Sequence, residues 1–407
     1  MSRILLIWEL GADYGHISAL LPIALEMKRR GHEPILVLKD LMWAEKILGG
    51  HGLTWLQAPT WPANLTGVPP PISYPEIIFH NGFSHLFGLL AICRAWRNLI
   101  DLTKPDLLLI EYGAASMLAT MGMGVPRVRI GTGFTAPPLT QPIPSFRWWE
   151  KQPVSRLVDI EGAVLKTVNN VLREFNREPI TALHQMLESE GEFILTSRDL
   201  DLFTQRESGE FLGPIMNLEQ GAPPSWPKLQ GKRVFAYIKT NSPHFAPTLK
   251  ALSELDVNTI VHAPGISIKN IKTYESGNLV FSVDPVRMED VRHQCDVGIC
   301  HAGAGTTEAL LAAGKPVLLL PMQGEQESTA RKVEQLGAGL WVHQDAKVVN
   351  FKKLLKRLLN EPSFTLKAQA FSNANQTLSQ AERIEILVNR CEELITTHKN
   401  TNNTPKR

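Results

Sequence analysis

A strand–helix–strand opening in residues 4–38 decides what kind of sheet this chain can build. Ile4–Trp8 is an unbroken apolar run, and Gly11–Gly15 reads as a loop. Within 17–30, Leu20, Leu21, Ala24, Leu25 and Met27 recur at helical spacing before Gly31 stops the helix. Ile35–Leu38 is the next apolar run. Such a unit predicts a parallel sheet covered by helices. Leu107–Ile110 and Val125–Ile130 continue the pattern.

The rhythm breaks over 213–232, a stretch with four prolines, three glycines and no periodicity, which reads as a linker. It then restarts. Val234–Ile238, Thr259–His262, Leu279–Val283, Val297–Cys300 and Val317–Leu320 are expected strands with helices between them, including one near 247–255. The two halves share a plan but no sequence repeat. Residues 381–396 read as a helix, and 397–407 as a polar tail expected to be disordered.

At 407 residues and 43% apolar content, the chain can bury more than one core. Its 42 basic and 40 acidic residues leave a net charge of +2, which argues against nucleic acid as a partner. Cys93, Cys295, Cys300 and Cys391 are too few for a disulfide framework, so a reducing, cytoplasmic setting is expected. The N-terminal apolar run ends at Glu9 without a cleavage site, which argues against a secretory signal. No apolar window approaches the roughly 20 residues of a membrane span, which leaves peripheral membrane contact open. Two segments are dense in proline: 59–75 has six, and 134–153 has five together with Trp148 and Trp149. Loops of this kind on an α/β scaffold either touch substrate or simply connect and pack.

Most of the chemistry lies in 295–326. A strand ends at His301, and Gly303 and Gly305 let a backbone approach closely. A helix then starts near Gly305, Thr306 and Thr307. Amide N–H groups, hydroxyls and the positive helix end converge there, an arrangement that favours an anion such as a diphosphate, with His301 as a further donor. A second strand ends at Pro321 and brings Glu325 and Gln326 to the same sheet edge.

This segment resembles the GT-B glycosyltransferases, in particular the family acting on macrolides, flavonoids, sterols and rhamnolipids. His301, Gly303, Gly305, Thr306, Gly314, Pro316, Pro321 and Gln326 match its donor signature with unchanged spacing. Glu308 stands one position before the family's ribose-binding glutamate, a rotation of about 100° on a helix. Glu325 replaces its sugar-contacting aspartate. Residues 15–32, which include Gly15-His16, Pro22 and Gly31-His32, resemble the family's N-terminal stretch, with Ala19 where proline is usual. The resemblance makes His16 the general base. Histidine also suits that task independently, since it is neutral near pH 7 and a helix N-terminus disfavours its charged form. Glu111 stands where relatives carry the aspartate that orients the base.

The resemblance implies two doubly wound, Rossmann-like α/β domains facing a cleft. An acceptor domain would cover 1–213, a linker 214–232 and a nucleotide-sugar domain 233–374, with a helix over 375–396 packing back on the first. The implied activity is metal-independent, inverting transfer of a hexosyl group from a UDP- or dTDP-sugar, a co-substrate and not a cofactor, to a hydroxyl of a small apolar or aromatic acceptor. A silent nucleotide-binding homologue or helper subunit, and a nucleotide-sugar epimerase, are the alternatives. His293, Cys295, Cys300 and His301 lie close in sequence but read as a buried strand and not as a metal site. Gly11–Gly15 lacks the G-x-G-x-x-G of a nicotinamide or flavin site.

Overall fold

The computed structural model describes residues 1–12, 15–42, 44–62, 67–204, 206–207, 209–219, 221–375 and 378–403. Contacts divide the chain into two units. Met1–Thr196, Asp201–Met216 and Gln380–Arg407 form the first, and Ser197–Leu200 with Asn217–Ser379 the second.

The first unit is built on a parallel sheet of β1 (Arg3–Trp8), β2 (Glu33–Leu38), β3 (Thr54–Gln57), β4 (Leu107–Glu111), β5 (Arg127–Gly131), β6 (Gly191–Ile194) and β7 (Glu210–Phe211). Its spatial order is β3-β2-β1-β4-β5-β6-β7. Successive side chains of a strand point to opposite faces. Ile4, Leu6 and Trp8 therefore join Leu20, Leu21, Ala24 and Met27 of the helix Gly15–Arg29 on one side. Leu5 and Ile7 join Leu89, Cys93 and Trp96 of the helix Leu86–Thr103 on the other. Because both faces are covered, β1 and β4 carry unbroken apolar runs, Ile4–Trp8 and Leu107–Ile110.

The second unit repeats the plan with β8 (Lys232–Tyr237), β9 (Val257–His262), β10 (Leu279–Ser282), β11 (Val297–Cys300), β12 (Val317–Leu319) and β13 (Gly339–Trp341), again all parallel. Its order is β10-β9-β8-β11-β12-β13. In each sheet the chain works outward from one strand and then returns to that strand's other side, so β1 lies between β2 and β4, and β8 between β9 and β11. The connections diverge at such a reversal and leave a crevice at the carboxyl ends of the strands, where open α/β sheets take ligands.

Two sequence expectations change. The segment read as a linker over 214–232 does not hang free. From Asn217 onward it belongs to the second unit, where the Leu218 carbonyl accepts from Glu289 N (3.1 Å) and Ala222 N donates to the Pro285 carbonyl (2.8 Å). Trp226 Nε1 also donates to Gln294 Oε1 (2.8 Å). Nor does the last helix stop at 396, as the reading of 397–407 as a disordered tail had it, although 404–407 lie outside the described residues. It spans Gln380–Asn403, and Lys399 Nζ reaches Asp106 Oδ1 at 2.8 Å, so a polar segment without core residues is held by an ion pair. Further back, Ile384, Leu387, Val388, Cys391 and Ile395 of this helix complete the core beside Ile4 and Leu6. Among the described residues, no single helix is long and apolar enough to cross a membrane.

Candidate active site

β1 and β4 run in register with Trp8 opposite Glu111, so the chain leaving β1 meets the end of β4 at the reversal point of the first sheet. His16 is the second residue of the helix after β1. Its Nδ1 lies 2.7 Å from Glu111 Oε2, and the two side chains are only 16% and 6% exposed. An ionised carboxylate can only accept, so Nδ1 carries the proton and Nε2 is the basic nitrogen. The longer side chain of glutamate, compared with aspartate, reaches the ring directly. Trp8 stacks on the imidazole, with centroids 4.9 Å apart and planes at 18°. Gly11 lies close to the ring at φ +85°, where a Cβ would run into Nε2. Sequence reading missed both of these contacts.

The two proline-rich segments meet here as well. Ser73 and Ser145 form an antiparallel bridge, and Phe146 N donates to the Ile72 carbonyl (3.0 Å). Rings continue outward from the histidine. Tyr112 lies 6.2 Å from His16 and from Tyr74, Phe134 lies 6.1 Å from Tyr112, and Phe146 lies 4.8 Å from Phe134. Phe146 is core, whereas Phe134 is half-buried. Packing therefore accounts for the first, and a partly open aromatic edge remains at the second. Residues 63–66 of the first segment lie outside the described residues.

In the second unit the reversal point lies between β8 and β11. Ala302 takes a left-handed φ of +61°, and Gly303 caps the helix Ala304–Ala312. A Cβ on Gly303 would meet nothing within 4 Å. The bond from Thr307 N to the Gly303 carbonyl is 3.1 Å, so the amides of Ala304, Gly305 and Thr306 precede the first intrahelical bond. Together with the helix dipole they form a surface suited to an anion.

Several side chains expected there are engaged elsewhere. His301 Nε2 accepts from Lys239 N (2.7 Å) and its Nδ1 donates to the Leu320 carbonyl (2.7 Å). Both ring nitrogens are thus occupied by backbone. The ring ties together the ends of β8, β11 and β12, and it is not aimed as a phosphate donor. Thr307 is fully buried, with Oγ1 3.5 Å from Cys300 Sγ. Glu308 is 1% exposed, and its Oε2 accepts from Ser197 N (2.9 Å) and Ser197 Oγ (2.8 Å). At 100° per residue, Gly303 and Thr306 share the outer face of the helix while Thr307 and Glu308 turn inward, which removes both from the anion surface. Gln326 Oε1 accepts from Met322 N (2.8 Å) and so serves the start of its own helix, Gly324–Leu336. Glu325 is half-buried in the first turn of that helix.

Residues 246–394 match the family model of the erythromycin biosynthesis protein CIII-like C-terminal domain. A stretch of 119 residues is 34% identical to the aclacinomycin-T 2-deoxy-L-fucose transferase of Streptomyces galilaeus, which covers 28% of this chain and 26% of that protein. Over 261 residues the chain is 25% identical to a PGL/p-HBAD biosynthesis rhamnosyltransferase of Mycobacterium bovis, 60% of this chain and 57% of the other. The match thus spans about a quarter of the first relative and little more than half of the second. Among solved structures, the glycosyltransferase VinC in complex with dTDP is similar at a TM-score of 0.69 and 17% identity, covering 96% of this chain and 100% of that one. The chain has the GT-B fold that its motifs resemble.

Proposed function

We propose that this chain transfers a hexosyl group from a nucleoside diphosphate sugar to a hydroxyl of a small apolar or aromatic acceptor, with inversion and without a metal. The observation that carries this reading is the His16–Glu111 pair at a sheet reversal point, 2.7 Å apart and largely shielded from water. His16 Nε2 takes the proton of the acceptor hydroxyl as the oxygen attacks the anomeric carbon. The bond from that carbon to the diphosphate oxygen breaks, and the nucleoside diphosphate leaves with the electron pair. Glu111 stabilises the imidazolium formed in this step, which is when its charge matters most. In the second unit the amides of Ala304, Gly305 and Thr306 would take up the charge that grows on the diphosphate.

A dTDP- or UDP-sugar as donor is supported by VinC, which binds dTDP. An acceptor of natural-product or lipid type is supported by the aclacinomycin-T transferase and by the half-buried Phe134 near His16. The test is a panel of dTDP- and UDP-sugars against polycyclic and phenolic alcohols, read by mass spectrometry of the product. Product made by the parent and lost in His16→Ala supports the proposal. Burial of Glu308 favours a second reading, a nucleotide-binding homologue without transfer, because it engages with Ser197 the glutamate that stands next to the expected ribose contact. Tight nucleotide binding with no product from any pair would favour that reading.

A further inference from the structure

Glu9 comes directly after β1 and is buried at 4% exposure, yet the transfer step proposed above does not use it. Its Oε1 accepts from Ala115 N and its Oε2 from Ser116 N, each at 2.8 Å. These amides open the helix Ala114–Thr120, which starts three residues after Glu111. Next to Glu9, Leu10 N donates to the Tyr112 carbonyl (3.1 Å). Residues 9 and 10 therefore grip the turn that leaves Glu111 with three hydrogen bonds. That turn needs a grip, because Tyr112 sits at φ +49°, a left-handed conformation that a bulky side chain adopts only when its surroundings impose it. On the other side of Glu9, Trp8 stacks on the His16 ring. A single dipeptide, Trp8-Glu9, thus holds the His16 ring through Trp8 and the turn after Glu111 through Glu9.

We propose that Glu9 is a positioning residue: through its two-amide clamp on the turn after Glu111 it aims that carboxylate at His16, and protonating it loosens the pair. The inference rests on the transfer function proposed above only where it concerns rate. The ionised carboxylate offers an acceptor to each amide. The acid form offers one amide a carbonyl oxygen but the other only a hydroxyl oxygen, a weaker acceptor, which loosens the clamp. Burial pushes the Glu9 carboxyl up to about 7, against the pull of the Ser116 and Ala115 amides and of Lys39. Tyr74 and Cys93, on helices packed against the same pocket, also feel its charge. Both states are therefore populated around neutral pH. Linkage sets the sign. The folded state holds this proton above the ordinary value of 4.5, so stability relative to Glu9→Gln falls as pH rises from about 4.5 to 7.

The experiment is an NMR titration of the full chain labelled with 15N and with 13C at histidine Cε1, with the His16 signal assigned by its loss in His16→Gln. The expected result is one common midpoint near pH 7 in the Ala115 and Ser116 amides and as a component of the His16 ring curve. In Glu9→Gln this component disappears, and the transfer rate falls by about tenfold to 100-fold with nucleotide affinity unchanged. Amides that do not titrate, or a His16 curve identical in parent and variant, overturn the inference. If neither protein transfers sugar but the His16 component is lost in the variant, the proposed function fails and the positioning role stands. Should Glu9→Gln not fold, the parent titration decides alone, with Glu9→Asp, which keeps the charge, expected to retain the midpoint.

Discussion

Replacing Gly11 by alanine tests the placement of the base directly. Two effects add at this position. At φ +85° an L-residue is disfavoured by about 1–2 kcal/mol. The new methyl would also overlap His16 Nε2, and it would stand 3.0 Å from Cε1 and 3.3 Å from Tyr112 Cδ1. Carbon contacts relax only near 3.5–4.0 Å, so the imidazole must retreat by roughly 1 Å. Trp8 stacked at 4.9 Å blocks one direction, and the ring escapes by swinging off Glu111, which stretches a 2.7 Å bond beyond hydrogen-bonding range. A misplacement of that size is worth about 100-fold in rate. Transfer by Gly11→Ala should fall by that factor, measured as product formed at saturating donor, while calorimetry finds nucleotide affinity unchanged. The melting temperature should drop by about 2–4 °C per kcal/mol of strain. Gly162→Ala is the control: its Cβ meets nothing within 4 Å on an exposed helical site, so it should gain up to about 1 kcal/mol and keep full rate. Parent-level transfer by Gly11→Ala would show that the imidazole does not work from where it lies.

His16→Ala should cut transfer by about 10²–10⁴-fold, and Glu111→Gln by less. A double-mutant cycle should find the losses non-additive, whereas additive losses would disconnect the two residues. His301→Ala leaves Lys239 N and the Leu320 carbonyl without their partner, at about 1–3 kcal/mol each. Chemical denaturation should register that loss, and His301→Gln, which can both donate and accept, should recover part of it. Equal stability of His301→Ala and parent would refute the tie between the three strands. Transfer should persist in EDTA, and a loss restored by magnesium or manganese would overturn the metal-independent mechanism.

Burial decides which parts of the fold were legible. β1, β2, β4, β8, β9, β11 and β12 are covered on both faces and read as apolar runs. β3 is an edge strand with no fully buried residue, while β7 has two residues and β13 three, so none carries a hydrophobic signal above its surroundings. The same distinction separates the site residues. His16 and Glu111 lie at strand and helix ends that the apolar runs themselves locate, and the pairing expected of them is the pairing seen. His301 and Glu308 have partners 19 to 111 residues away, mostly backbone atoms, for which a linear sequence holds no trace. Glu9 was visible only as the end of an apolar run. Its role depends on a helix start about a hundred residues later.

The first unit recruits its last helix from beyond the whole of the second. During synthesis, then, the face formed by Ile4, Leu6, Leu107 and Val128 is covered only in part, by the helix Gly15–Arg29, until Ile384–Ile395 emerge. A nascent chain stalled after the second unit exposes a greasy sheet face, and one cut near residue 379 never loses it. Chaperone dependence and inclusion-body formation should therefore rise sharply for C-terminal truncations that remove no residue of either candidate site.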